Sequence, residues 1–229
     1  MRYLFALWKP KANNAKTHRW SSEYSPAVAD KLARSIRKHS PDAEIVCVSD
    51  YDRSEFKEDI EVHPFLYTPD GYESVMELYR PEVVGKRAIM VGLDTVFVGD
   101  TTLIEACVKD KGPCHIMPID PFHGPEPCNG VVGLNRETAQ DIWFTWAADR
   151  ARGALNDVQY HMLGRWSEMV WLRKNAKPTK LWDKLLPGKI RSYKKHGHTE
   201  DASIMYFHGR PKPTDLENMN CRWVLENWS

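Results

Sequence analysis

The chain lacks any apolar run long enough to cross a membrane or to form the core of a secretory signal. The run nearest its start, Tyr3 to Trp8, stops at Lys9 and Pro10. It also lacks CxxC pairs, and its five cysteines, Cys47, Cys107, Cys114, Cys128 and Cys221, are odd in number. That pattern speaks against a disulfide framework or a zinc knuckle and for reduced thiols in a cytoplasm. No internal repeat and no Gly/Ser linker divides the 229 residues, so one domain over 1–229 is expected. The formal net charge of +1 exerts no global pull toward nucleic acid, which confines any basic partner site to a local patch. Glycine is missing from KPKANNAK, the segment after the first apolar run, where a nucleotidyltransferase would want a Gly-rich phosphate loop.

What is present is an alternation of buried-type strands and helical patterns, the mark of an α/β sheet. Tyr3 to Trp8 reads as the first strand. Ser25-Pro26 opens a helix, Ser as N-cap and Pro in the first turn, with Val28, Leu32 and Ile36 at four-residue spacing and an end near His39, before Pro41. EIVCVSD is a β-branched strand ending at Asp50, and a short strand follows around Ile60 to Val62. SVMELYRPE reads as a short helix closed by Pro81, and Glu137 to Arg150 as a longer one.

The segment KRAIMVGLDTVFVGD is nearly continuous apolar sequence and reads as a central strand from Ala88 to Phe97, with Asp94 inside it. A carboxylate inside a buried strand costs several kcal/mol unless it is paired or binds a cation. In open α/β sheets ligands collect at the carboxyl ends of strands, where an acidic residue commonly holds a divalent ion against phosphates. Asp94 is therefore the leading candidate for a site.

The ordered pieces WKP, YSPAVADKLARSI, VCVSD, MELYRPE, VGLDTVFVGDTTLI, PCNGVVGLN, NDVQY, SYKKH and FHGRPKP resemble bacterial and phage glycosyltransferases of the glycogenin-like, family 8-related group. The resemblance covers roughly Tyr3 to Pro213 and rests mostly on LDTVFVGD, NGVVGLN and FHGRPKP. It implies a single GT-A-like domain with a mixed, mostly parallel sheet flanked by helices. The implied activity is metal-assisted, hexosyltransferase-like transfer from a nucleotide-diphospho-sugar, a UDP-sugar before others, to a glycan, a small molecule or a modified DNA base.

The resemblance also implies roles for individual residues. Asp94 matches the second Asp of the DxD segment, which holds Mn²⁺ or Mg²⁺ on the donor diphosphate, while the first position is Gly92 and offers only backbone. His208 would complete the metal site, and Lys212, beyond Gly209, would contact the donor phosphates, as would Lys194 of the SYK piece. Trp8, Tyr24 and Asp50 correspond to the base and ribose pocket, Trp8 being either a base platform or core packing. Asn129, before Gly130, would meet a sugar hydroxyl or simply shape a turn. Asp157 or Gln159 of NDVQY would contact donor sugar or acceptor. Asp100 reads as a loop cap. Val75 stands where related sequences often carry a lysine, and with Gly92 it keeps a non-catalytic nucleotide-sugar binder in view. Between Arg173 and Lys195 nine Lys/Arg face the single Asp183, interrupted by Trp182 and Tyr193 and preceded by Trp171, a pattern that suits a basic, aromatic surface.

Overall fold

The computed structural model describes residues 1–10, 23–67, 71–156, 161–162, 165–166 and 168–229. Twelve strands occur among them: β1 (Arg2–Leu7), β2 (Glu44–Ser49), β3 (Glu61–His63), β4 (Arg87–Val91), β5 (Thr95–Phe97), β6 (His115–Met117), β7 (Val131–Asn135), β8 (His161–Met162), β9 (Arg165–Trp166), β10 (Lys180–Leu181), β11 (Ile190–Ser192) and β12 (Ile204–Tyr206). The helices in chain order are α1 (Pro26–His39), α2 (Pro81–Val84), α3 (Thr102–Lys109), α4 (Arg136–Ala151), α5 (Glu168–Asn175), α6 (Trp182–Leu185), α7 (Tyr193–His196), α8 (Pro213–Asn218) and α9 (Arg222–Asn227).

Seven strands form the main sheet in the order β10-β6-β7-β4-β1-β2-β3. β1 runs parallel to β2 and β4, and only β7 lies antiparallel to its two neighbours. Side chains alternate across each central strand, so every second residue enters a different core. Tyr3, Phe5 and Leu7 join Ile89 and Val91 on one face, beneath Leu32 and Ile36 of α1 and Ile104 and Val108 of α3. Leu4 and Ala6 join Ala88 and Met90 on the other, beneath Met76, Tyr79 and the α4 residues Ile142 and Trp146. A strand covered on both faces must be apolar throughout, which is why these segments show no polar alternation. Full burial of each large aliphatic side chain contributes roughly 1.5–3 kcal/mol.

The helix read from Pro26 to His39 forms over those residues, with Pro26 in the first turn and Arg37, Lys38 and His39 at the carboxyl end, where cations complement the helix dipole. The stretch before Pro81 is a 3-10 helix, Gly71–Tyr79, and Pro81 opens α2 rather than merely closing what precedes it. The expected continuous strand Ala88 to Phe97 is two strands. β4 ends at Val91, and β5 begins at Thr95 and enters a second sheet of order β11-β12-β5. Both halves are buried, so unbroken apolarity hid the change of sheet. Asp94 thus lies in the corner between two sheets, with its side chain 17% exposed, and not within a strand.

The aromatic part of the expected basic, aromatic surface is also corrected. Trp171 and Trp182 are core residues, and Trp182 Nε1 donates to the carbonyl of Val131 at 3.0 Å. Tyr193 stacks on Phe207 with ring centroids 4.9 Å apart. Of the charges between these aromatics, Arg173 pairs with Asp120 at 2.7 Å and Lys180 with Asp110 at 3.4 Å. All five cysteines are free. Among the described residues no helix is long and apolar enough to cross a membrane.

Candidate active site

The topology brings several chain segments to one edge. β1, β2 and β4 are parallel, so Leu7, Ser49 and Val91 end on the same side, and antiparallel β7 begins there, with Val91 opposite Val131. In the second sheet β12 runs against β5 with Tyr206 opposite Thr95, so the chain leaving β12 passes Asp94. β11 is parallel to β12 and ends at Ser192 beside Tyr206. The result is a cavity of about 270 Å³ at the carboxyl ends of β1 and β4, lined by residues that follow β1, β4 and β12 and by Asn129 and Gly130 before β7.

Asp94, Lys212 and Tyr24 form its charged side. Asp94 Oδ2 accepts from the Tyr24 hydroxyl at 3.1 Å and makes an ion pair with Lys212 Nζ. The Lys212 side chain is 9% exposed, and its backbone N–H donates to Asp215 Oδ2 at 2.7 Å, which fixes the start of α8. Burial and the neighbouring Asp94 carboxylate push the Tyr24 phenol far up, so it stays a neutral donor. Gly92 also has a packing reason: a Cβ there would stand 2.9 Å from Asp94 Oδ1, and the bare backbone lets the carboxylate fold back over it.

His208 lines the same cavity. Its Nδ1 is 3.2 Å from Ser192 Oγ, and its ring lies edge-on to Tyr206 and Phe122 at 5.0 and 5.7 Å. Burial pulls its pKa down and favours the neutral imidazole. Asp94 and His208 were expected to hold Mn²⁺ or Mg²⁺, ions that take octahedral, oxygen-rich shells with carboxylate ligands. Two carboxylates line the cavity, Asp94, already paired with Lys212, and Glu168, held by Asn129, and among the described residues no cluster of three or more His, Cys, Asp or Glu side chains can hold a metal. Among the described residues this donor set does not fit a resident divalent ion.

The cavity also holds a residue that the sequence reading missed. Glu168, the first residue of α5, is buried, and its Oε1 accepts from Asn129 Nδ2 at 3.0 Å while Oε2 has no hydrogen-bond partner. Burial raises its pKa to about 7, against the lowering influence of the Asn129 bond. Asn129, expected to meet a sugar hydroxyl or to shape a turn, holds this carboxyl through Nδ2 and itself lines the cavity. A signal existed in the sequence: Glu168 heads the i, i+3, i+4 stripe completed by buried Trp171 and Leu172. A charged residue at the head of a buried stripe has to answer for its burial.

Gly130 has a steric role, since a Cβ there would stand 2.5 Å from Cδ2 of Tyr206. Gly130→Ala is expected to displace that ring and to lower stability by about 1–3 kcal/mol, measured by chemical denaturation.

Of the other expected residues, Trp8, Tyr24, Gly92, Gly209 and Lys212 line the cavity, as does Val75. Asp50 does not: it is exposed at the end of β2, and its Oδ1 accepts the Lys9 N–H at 2.7 Å. Lys194 sits just outside, with its Nζ 5.7 Å from the Phe122 ring centroid. Asp100 accepts from the backbone N–H and hydroxyl of Thr102, as a loop cap does. Asp157 and Gln159 lie outside the described residues.

No family model matches the chain, and no curated protein matches it in sequence. Solved structures do match it in fold. The galactosyltransferase LgtC, in complex with donor and acceptor sugar analogs, superposes with a TM-score of 0.65 at 10% identity over 99% of this chain and 95% of LgtC. An active-site variant of LgtC gives a TM-score of 0.64. The glycosyltransferase GlyE of Streptococcus pneumoniae TIGR4 gives 0.60 at 15% identity, with this chain spanning 60% of GlyE. The chain has the GT-A-like glycosyltransferase fold, a mostly parallel seven-stranded sheet flanked by helices.

Proposed function

We propose that the protein transfers a sugar from a nucleotide-diphospho-sugar to an acceptor hydroxyl, with the reaction centred in the cavity at the ends of β1 and β4. The observation that carries this reading is the convergence, in one cavity of a glycosyltransferase fold, of an Asp94–Lys212 ion pair with a buried, half-unpartnered Glu168. Trp8 and Leu7 at the end of β1 offer an apolar and aromatic wall for the nucleotide base. Lys212 faces the diphosphate. When the bond between the anomeric carbon and the diphosphate oxygen breaks, its electron pair stays on the departing nucleoside diphosphate, and a cation held in place stabilises that charge.

Glu168 answers the other half of the charge separation. Its ionised carboxylate, held by Asn129, stabilises the positive charge that develops at the anomeric carbon as the acceptor oxygen bonds there and passes its proton to the departing diphosphate oxygen. The protein's part is to position the two reactants and to supply fixed charges of opposite sign on either side of the breaking bond. The experiment is a thermal-shift titration with UDP-, GDP-, ADP- and dTDP-sugars. One of them is expected to raise Tm, in competition with its own nucleoside diphosphate; stabilisation by none of the four overturns the reading.

A further inference from the structure

A diphosphate needs positive charge, and in this cavity the charge is carried by side chains. Lys212 Nζ lies against Asp94 and has three N–H donors, of which the carboxylate engages only part. Its Nζ is also 5.7 Å from the Tyr24 ring centroid, so the ammonium is held from two sides. Lys194 approaches from the carboxyl end of β11: its Nζ would be 3.8 Å from a Cβ on Gly209, which lines the cavity. His208 lies within the electrostatic reach of Lys194, Lys212 and Asp94 together, so these groups form one cluster. Asp120, the other carboxylate that acts on His208, is paired with Arg173, and Glu168 is held apart at Asn129; among Asp94 at −1 and the two lysines at +1 each, the sum is +1. A second carboxylate at position 92 would cancel that surplus. Gly92 adds no charge, and its missing side chain is the space into which Asp94 folds.

We propose that Lys212 and Lys194 take the place of the divalent cation in this cavity, so that the protein binds a nucleoside diphosphate without metal. The proposal rests on the nucleotide-sugar reading above. In this arrangement Asp94 is the counter-charge that holds Lys212 until a phosphate replaces it, and the two ammonium groups meet the diphosphate beside Gly209.

The test is isothermal titration of the full chain with UDP, GDP, ADP and dTDP, first in EDTA and then in excess MnCl₂. One nucleoside diphosphate is expected to bind in EDTA with a Kd within about threefold of its value with Mn²⁺. Lys212→Met is expected to weaken that binding at least about tenfold and Lys194→Met about threefold or more. Binding that appears only with Mn²⁺ overturns the proposal and leaves the nucleotide-sugar reading standing. Binding by neither route overturns both. Circular dichroism checks that Lys212→Met folds; if it does not, the wild-type titration in EDTA and the Lys194→Met variant still decide, and unchanged affinity in Lys194→Met removes Lys194 from the proposal.

Discussion

Glu168→Gln is expected to lower kcat at least about 100-fold while nucleoside diphosphate affinity stays within about twofold, the signature of an interaction made in the transition state rather than in binding. Glutamine keeps the shape and the acceptor for Asn129 Nδ2, so the substitution removes little beyond the charge. Stability moves in the opposite direction. The folded carboxyl titrates at about 7 against an ordinary 4.5, so the folded state binds more protons than the unfolded state between those values. Stability tied to Glu168 is therefore fully present below pH 4.5 and is lost as pH rises through about 7, by about 3 kcal/mol in all. Glu168→Gln is expected to be more stable than wild type at pH 8 and to lose that advantage at pH 5, which denaturation at the two values reads directly. Equal stability at pH 8 would show that the carboxyl is not held in a dry site.

Asp94→Ala is expected to lower Tm by about 6–12 °C. Removing one partner of a buried pair leaves Lys212 charged and unpaired, a loss of about 3 kcal/mol, and each kcal/mol moves Tm by about 2–4 °C in a chain of this size. The same change frees the ammonium for phosphate. The matching nucleoside diphosphate, in EDTA, is expected to raise Tm more in Asp94→Ala than in wild type, because it restores the missing counter-charge. A smaller shift in the variant would mean that Asp94 itself holds the ligand, as a metal-binding carboxylate would. Calorimetry with and without nucleotide separates the two.

How much of this was legible in the sequence depends on whether a residue's partner is local. The α1 span follows from Ser25-Pro26, four-residue spacing and Pro41, all within one stretch of chain, and the helix forms there. β2 likewise ends at Ser49, just before Asp50. Asp94 stood out because a lone carboxylate in apolar sequence must have a partner, but that partner, Lys212, is 118 residues away and joins it only because β12 pairs with β5. The break between β4 and β5 was invisible, since both strands are buried and apolar patterning carries no sheet membership. The Trp171 and Trp182 interleaving misled because aromatic residues between lysines read as a surface until the fold shows which way each points. Glu168 was overlooked because an acid in the first turn of a helix is ordinary, and only its burial beneath the sheet edge makes it unusual.

The most direct test of the central claim is release of nucleoside diphosphate from UDP-, GDP-, ADP- and dTDP-sugars by wild type and by Glu168→Gln. One donor is expected to be turned over by wild type and not by Glu168→Gln, although the variant still binds the corresponding nucleoside diphosphate. Turnover at equal rates in both proteins, or no turnover of any donor by wild type, would contradict the assignment of sugar transfer to this cavity.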